Sequence, residues 1–203
     1  MKTLKTAARA LSILATVATL SACGNQPVVG ILLPESGAAS SYGQSMKNGI
    51  DLALDQAEGT TPPKLKIIWG DSASDPATGA AELRRMASEG ARLVVAGTTS
   101  DTAHALLPVL DEADVIALSP SASDPSLTKQ SRRFFRVFAS DELEGRRAGR
   151  FLYDDQDKTT VLIYAEDSAQ ARGIEPPFRQ VFEQAMGGAV VGRVVIGSEE
   201  WER

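Results

Sequence analysis

An uninterrupted apolar run, VVGILL at residues 28–33, is followed by the polar loop PESGAASSYG at residues 34–43. Strands of parallel sheets that are buried on both faces carry such continuous runs of Val, Ile and Leu. Met46, Ile50 and Leu54 then recur at a spacing of four residues, which predicts an amphipathic helix. This segment therefore predicts one strand–loop–helix cycle of a parallel α/β sheet.

The same cycle recurs further along the chain. We predict strands at residues 65–69, 93–96 and 115–118, and helices at residues 80–88 and 103–113. Four cycles predict a doubly wound parallel sheet, whose ligands bind outside the carboxyl ends of the strands. The loops that follow those ends are rich in Ser, Thr and Gly, so we expect a ligand site among them.

Two aspartates in the loop after the second predicted strand are expected to have structural roles. Asp75 precedes Pro76 and is predicted to be the N-cap of the next helix, with Pro76 at its first position. Asp71 is predicted to stabilise a turn. Neither is expected to bind a ligand.

The pattern changes near residue 137, after a strand-like run at residues 134–138. Residues 23–137 are predicted to form a complete first α/β lobe. Residues 138–203 hold a new helix that opens at Asp141, a strand at residues 160–164, a loop at residues 165–173, and one further helix and strand. This is too little for a sheet buried on both faces, so we expect a truncated second lobe, with a natural one-and-a-half-domain protein as the alternative.

Residues 1–22 have the parts of a bacterial signal peptide. Three basic residues precede an apolar stretch at residues 10–20, which is shorter than the roughly 20 residues of a membrane span. The sequence Leu-Ser-Ala-Cys then ends at Cys23 and resembles a lipobox, which implies that Cys23 is lipidated. The alternatives are a signal peptide without lipid or an N-terminal anchor. As the chain has one cysteine, an intramolecular disulfide is excluded.

Charge and composition exclude several functions. Without residues 1–22 the chain has 18 basic and 26 acidic residues, a net charge of −8 that is unfavourable for nucleic acid. His104 is the single histidine and is four residues from Ser100, but no Gly-x-Ser-x-Gly elbow surrounds that serine. No metal-ligand cluster or nucleotide fingerprint is present. We therefore predict a binding protein with no catalytic residues, metal or cofactor.

Motifs along residues 28–196 resemble the type I periplasmic binding proteins, in particular the leucine/isoleucine/valine-binding and amide receptors of ABC importers. The matching motifs are VGILLP at residues 29–34, Tyr42-Gly43, VVAG at residues 94–97 with Ser100, LSPSASDP at residues 118–125, Phe135-Arg136, and Arg172-Gly173 with Phe178. The resemblance implies two α/β lobes that close on a small ligand. It also implies an extracytoplasmic receptor, in the periplasm or on the cell surface, that delivers an amino acid or amide to a membrane permease.

The resemblance implies a set of ligand-binding residues, which are Tyr42, Ser100, Ser121, Ala122, Ser123 and Gln170. Ser100 and Ser123 would donate to a ligand carboxylate, at helix N-termini that favour an anion. Ser121 and Ala122 would present backbone groups, and Tyr42 would line the side-chain end of the pocket. The alternatives are capping roles for Ser100 and Ser123 and loop packing for Tyr42.

Two features of the sequence differ from what a receptor of an amino-acid importer would be expected to show. Gln170-Ala171 stands where many relatives carry Tyr-Gly, so an aromatic lid is missing and Gln170 either bonds a polar ligand or faces solvent. Gly24 replaces the aspartate that retains lipoproteins in the inner membrane, which favours outer-membrane or surface display. The alternative function is therefore a regulatory or sensing lipoprotein of the same fold, such as a cell-wall synthase activator.

Overall fold

The computed structural model describes residues 26–57 and 64–196. The predicted signal peptide and the lipidation site at Cys23 lie outside the described residues, so both remain predictions. Within the described ranges, no helix combines the length and apolar character that crossing a membrane requires.

The first unit is a five-stranded, all-parallel sheet with strand order β2-β1-β3-β4-β5. Its strands are β1 (Val28–Leu33), β2 (Lys66–Asp71), β3 (Leu93–Val95), β4 (Ile116–Ser119) and β5 (Phe134–Arg136). Its helices are α1 (Ser40–Ala57), α2 (Pro76–Ser88), α3 (Ser100–Ala113) and the one-turn α4 (Leu127–Gln130). The predicted doubly wound sheet is confirmed, and its strand order reverses direction between β1 and β3.

The second unit is smaller. Its elements are α5 (Asp141–Arg150) with a π-helical turn (Phe151–Asp155), β6 (Thr160–Ala165), α6 (Ala169–Arg179) with a π-helical turn (Gln180–Ala185), and β7 (Ala189–Val195). The strands β6 and β7 form a parallel two-stranded sheet. Glycines allow α5 and α6 to approach closely, because a Cβ at Gly145 would collide with the Ile174 carbonyl oxygen. The rings of Phe178, in α6, and Phe182, in the π-helical turn that follows it, are stacked with their centroids 5.3 Å apart.

The hydrophobic core of the first unit lies between the sheet and helices α2 and α3. Leu83 and Met86 of α2 and Leu106 and Leu110 of α3 are fully buried there, against Val94 of β3. Helix α1 lies on the opposite face, because right-handed crossovers place helices on opposite sides when the strand order reverses direction. This second face is sparsely covered. The structure thus corrects the expectation of strands buried on both faces, which holds for the end of β1 but not for β3, β4 and β5.

Three helices begin earlier than predicted. Helix α1 begins at Ser40, within the stretch that we expected to be loop. Helix α3 begins at Ser100 rather than residue 103, because Thr99 is the N-cap and its Oγ1 accepts from Thr102 N at 3.2 Å. Helix α6 begins at Ala169, behind the N-cap Ser168, where we expected a loop to Gly173. In α3 and α6, polar capping side chains start the helix before the first apolar residues that mark the periodicity.

Candidate ligand-binding site

The candidate site lies at the carboxyl ends of β1, β3 and β4. The loops there are residues 34–39, 96–99 and 120–126, and the first two flank the switch point at which open α/β sheets bind ligands. Ser100, Ser121, Ala122 and Ser123 all lie at the second and third of these loops. The four candidate residues therefore lie on neighbouring loops, which are connected by hydrogen bonds.

Ser100 joins helix α3 to the loop that follows β4. Its Oγ accepts from Ser123 N and from Asp124 N, each at 3.2 Å. Two accepted bonds leave the hydroxyl proton to donate to a further acceptor, such as a carboxylate. The capping alternative for Ser100 is wrong, because Thr99 holds the N-cap position and Ser100 is the first helical residue.

The remaining groups of the loop after β4 are largely bonded to the loop after β3. Ser121 Oγ donates to the Thr98 carbonyl oxygen. Ser119 Oγ donates to the Gly97 carbonyl at 2.7 Å and accepts from Ala122 N at 3.0 Å. The N–H groups of Ala122 and Ser123 are thus both satisfied by serine hydroxyls in this conformation, and ligand roles for these residues stay predictions.

Arg136 and His104 also bind the loop that follows β4. Neither role was predicted from the sequence. One guanidinium nitrogen of Arg136 donates to the carbonyls of Ser123 and Asp124, at 2.7 Å each. His104 Nε2 lies 2.7 Å from Asp124 Oδ2, and Asp124 Oδ1 accepts from Ser126 N. Desolvation raises the pKa of Asp124, but the bonds from His104 and Ser126 outweigh it, so this pKa is lowered. The Phe-Arg pair of the family motif was the available signal for Arg136.

Asp71 fastens the loop after β1 to the loop after β2. Its carboxylate accepts from Glu35 N at 2.8 Å, from Ser36 Oγ at 2.6 Å and from Ala73 N at 2.7 Å. Desolvation opposes ionisation, but these bonds prevail and hold the pKa of Asp71 below its usual value. The predicted turn role of Asp71 is confirmed, as is the N-cap role of Asp75, which accepts from Thr78 N at 2.7 Å.

Tyr42 and Gln170 lie at the edges of the candidate site. Tyr42 is in the first turn of α1 and is 64% exposed, so its ring is not packed into the loop. Gln170 is the second residue of α6 and is also exposed. Helix α6 contacts helix α3, since Ala169 N donates to Asp101 Oδ2 at 3.4 Å and Arg172 lies 3.7 Å from Asp101 Oδ1. The two helix N-termini therefore meet beside the loops.

The N-terminus of α3 contributes positive partial charge to the site. N–H groups without helical partners and the helix dipole attract negative charge there, and the Asp101 carboxylate in the first turn already supplies one negative charge. Among residues 26–57 and 64–196, no group of three or more His, Cys, Asp or Glu is arranged to hold a metal ion. The described residues thus form a doubly wound sheet with polar loops at its switch point, which is where open α/β sheets bind ligands, and a second, smaller α/β unit.

Comparisons with known proteins identify the family. A family model described as periplasmic binding protein matches residues 27–201, so the chain belongs to that family, among its type I members related to Leu/Ile/Val-binding proteins. Members of this family are binding proteins of the extracytoplasmic space. The Leu/Ile/Val-binding protein BraC3 of Rhizobium johnstonii is 26% identical over 155 residues, which are 74% of this chain and 42% of that protein.

Solved structures show the same fold. The leucine binding protein LivK of Thermotoga maritima has a TM-score of 0.78 at 20% identity, with 87% of this chain and 51% of that one covered. A solute binding protein of an ABC transporter from R. palustris, in complex with 4-hydroxybenzoate, has a TM-score of 0.77 at 23% identity and covers 85% and 47%. The chain therefore spans about half the length of the proteins that it matches.

Proposed function

We propose that this chain is the ligand-capturing part of a substrate-binding lipoprotein of an ABC importer, which binds a small carboxylate between two lobes without catalysing a reaction. The observation that carries the proposal is the Ser100 hydroxyl, which accepts two loop N–H groups and keeps its proton for an acceptor at the N-terminus of α3. A carboxylate oxygen is the acceptor that this position favours most, because the bond is charge-assisted.

The ligand class is proposed from the ligands for which related proteins are named or with which they were solved. The related proteins are named for branched-chain amino acids or were solved with 4-hydroxybenzoate, and both kinds of ligand carry a carboxylate. Gln170 in place of an aromatic residue, at the exposed start of α6, removes an apolar lid and favours a ligand with a polar end. We therefore propose a polar amino acid, an amide or a hydroxylated aromatic acid ahead of leucine.

Binding requires movement of the loops or of the second unit. Ser100 and Ser123 are only 5% and 3% exposed, so a ligand reaches them in a more open conformation than this one. A ligand that bridges both units then shifts the population to the closed form, which a permease recognises. Lipid on Cys23 would keep the receptor close to that membrane partner.

An NMR titration of the 203-residue chain tests the proposal. Millimolar leucine, glutamine and 4-hydroxybenzoate are added separately, and the amide shifts of residues 98–101 and 121–124 are followed. We expect at least one carboxylate ligand to shift both groups, and S100A to weaken its binding by about 1–3 kcal/mol, the contribution of a hydrogen bond to a charged group.

Ser45→Ala is the matched control, because Ser45 is an exposed serine of α1 whose Oγ donates to the Ser41 carbonyl within the same helix. It should bind like the unaltered chain. Equal affinities of all three proteins for every carboxylate tested would remove Ser100 from the site.

A further inference from the structure

Asp141 is a buried carboxylate at the junction of the two units. It is the first residue of α5 and is fully buried, and its main-chain N donates to the Ser123 carbonyl at 3.0 Å. Neither of its carboxylate oxygens has a partner that meets the geometry of a hydrogen bond among the described residues, although the Ser123 side chain lies close enough to stabilise the anion in part. A buried acid with so little hydrogen bonding is costly in its ionised form, so its presence here needs a physical explanation.

The carboxyl group is wedged between the candidate ligand loop and helix α6. A Cβ at Gly173 of α6 would lie 2.6 Å from Asp141 Oδ2 and 3.1 Å from Pro125 Cδ. Gly173 thus lets α6 press directly on Asp141 and on the loop that also contains Ser123. Any movement of α6 away from this loop would uncover the carboxyl group to water.

The charges around Asp141 are mixed. Burial is the largest influence and raises its pKa, and the carboxylates of Glu144 in α5 and Asp124 in the loop raise it further. The Ser123 side chain and the Arg136 guanidinium lower it, and the N-terminus of α5 favours the anion as well. On the side of helix α6, the residue that faces Asp141 is the uncharged Gly173. The neighbouring Arg172 is paired with Asp167 and Asp101. The pKa remains above its usual value.

We propose that Asp141 is a protonation-controlled latch between helix α6 and the loop at residues 120–126: its neutral form holds them together, and its ionisation separates them. An ionised carboxylate gains hydration only if α6 and the loop part, so deprotonation favours the open arrangement. The effect on ligand capture rests on the proposed function, because this loop carries Ser121 and Ser123. The latch itself is defined without any ligand.

Amide hydrogen exchange of the 203-residue chain, corrected for intrinsic exchange rates, tests the latch. We expect protection of residues 171–174 in α6 and 121–124 in the loop to fall about tenfold or more between about pH 4 and about pH 7, as expected when a buried acid ionises and opens a local contact. In D141N this fall should disappear. E144Q should keep it, because Glu144 is exposed and lies one turn along the same helix.

A second measurement, made on the unaltered chain, tests the latch even if D141N does not fold. The ¹³C shift of the Asp141 carboxyl in the unaltered chain should titrate above the ordinary aspartate value of about 3.9, together with the amide shift of Gly173. Titration at or below that value, or protection with the same pH dependence in D141N and in the unaltered chain, would overturn the latch. Neither outcome depends on a ligand, so failure of the latch would leave the proposed ligand-binding function untouched.

Discussion

The two faces of the five-stranded sheet differ sharply in how they are covered. On the face under α2 and α3, Val94 and Ala117 are fully buried and Phe134 is 2% exposed. On the opposite face, the residues adjacent to these in the chain are exposed by 41%, 41% and 51%, and they are Leu93, Ile116 and Phe135. The faces have the same apolar chemistry, so the difference lies in what packs on them. An open apolar sheet face of this kind is unusual for a protein surface.

Replacing one leucine on each side of the sheet by alanine should give the largest difference in the free energy of unfolding. Leu106→Ala, in α3, should lower the free energy of unfolding by about 2–5 kcal/mol, because it leaves a cavity in a close-packed core. Leu93→Ala, in β3, should cost less than about 1 kcal/mol, because its side chain is already partly in water. Urea unfolding of the two variants measures both values. Equal losses would mean that the open face is covered in solution.

Two glycine substitutions extend the contrast to helix surfaces. Gly145→Ala should destabilise the chain by about 1–3 kcal/mol, since the new methyl group collides with the Ile174 carbonyl between α5 and α6. Gly49→Ala is the control, because nothing lies within 4 Å of its Cβ position on α1 and alanine raises helix propensity by about 1 kcal/mol. Thermal unfolding should therefore move in opposite directions. Destabilisation by both would mean that α1 is also packed.

Two aspartates provide the smallest contrast, between the Asp71 carboxylate, which accepts several hydrogen bonds, and the Asp141 carboxylate, which is poorly hydrogen-bonded. The lowered pKa of Asp71 gives stability that is present above its unfolded pKa, about 3.9, and is lost as pH falls. The raised pKa of Asp141 gives stability that is present below about 3.9 and is lost as pH rises through the folded pKa. Chemical denaturation between about pH 3 and about pH 7 measures both contributions.

Relative to the unaltered chain, D71N should therefore become less stable as the pH rises, and D141N more stable. Slopes of the same sign in the two variants would contradict the assignments.

The candidate site was predictable in its location but not in its bonding. The order of strands and polar loops predicted that Ser100, Ser121 and Ser123 lie at one edge of the sheet, and the fold confirms that placement. Periodicity could not show that Ser121 donates to the Thr98 carbonyl or that Ser100 accepts from the loop, because these partners are 23 residues apart. Gln170 was predicted on a loop and lies on a helix, since its capping serine precedes the apolar pattern.

Local physics therefore determined much of this protein from sequence alone. Apolar runs, helical spacing and capping residues such as Asp75 depend on near neighbours, and they specified the alternating elements and the parallel sheet. The tertiary structure alone decided which sheet face is covered, which hydroxyls are already bonded, and that Asp141 is buried against Gly173. Those properties depend on contacts between residues distant in sequence, whose geometry no local pattern encodes.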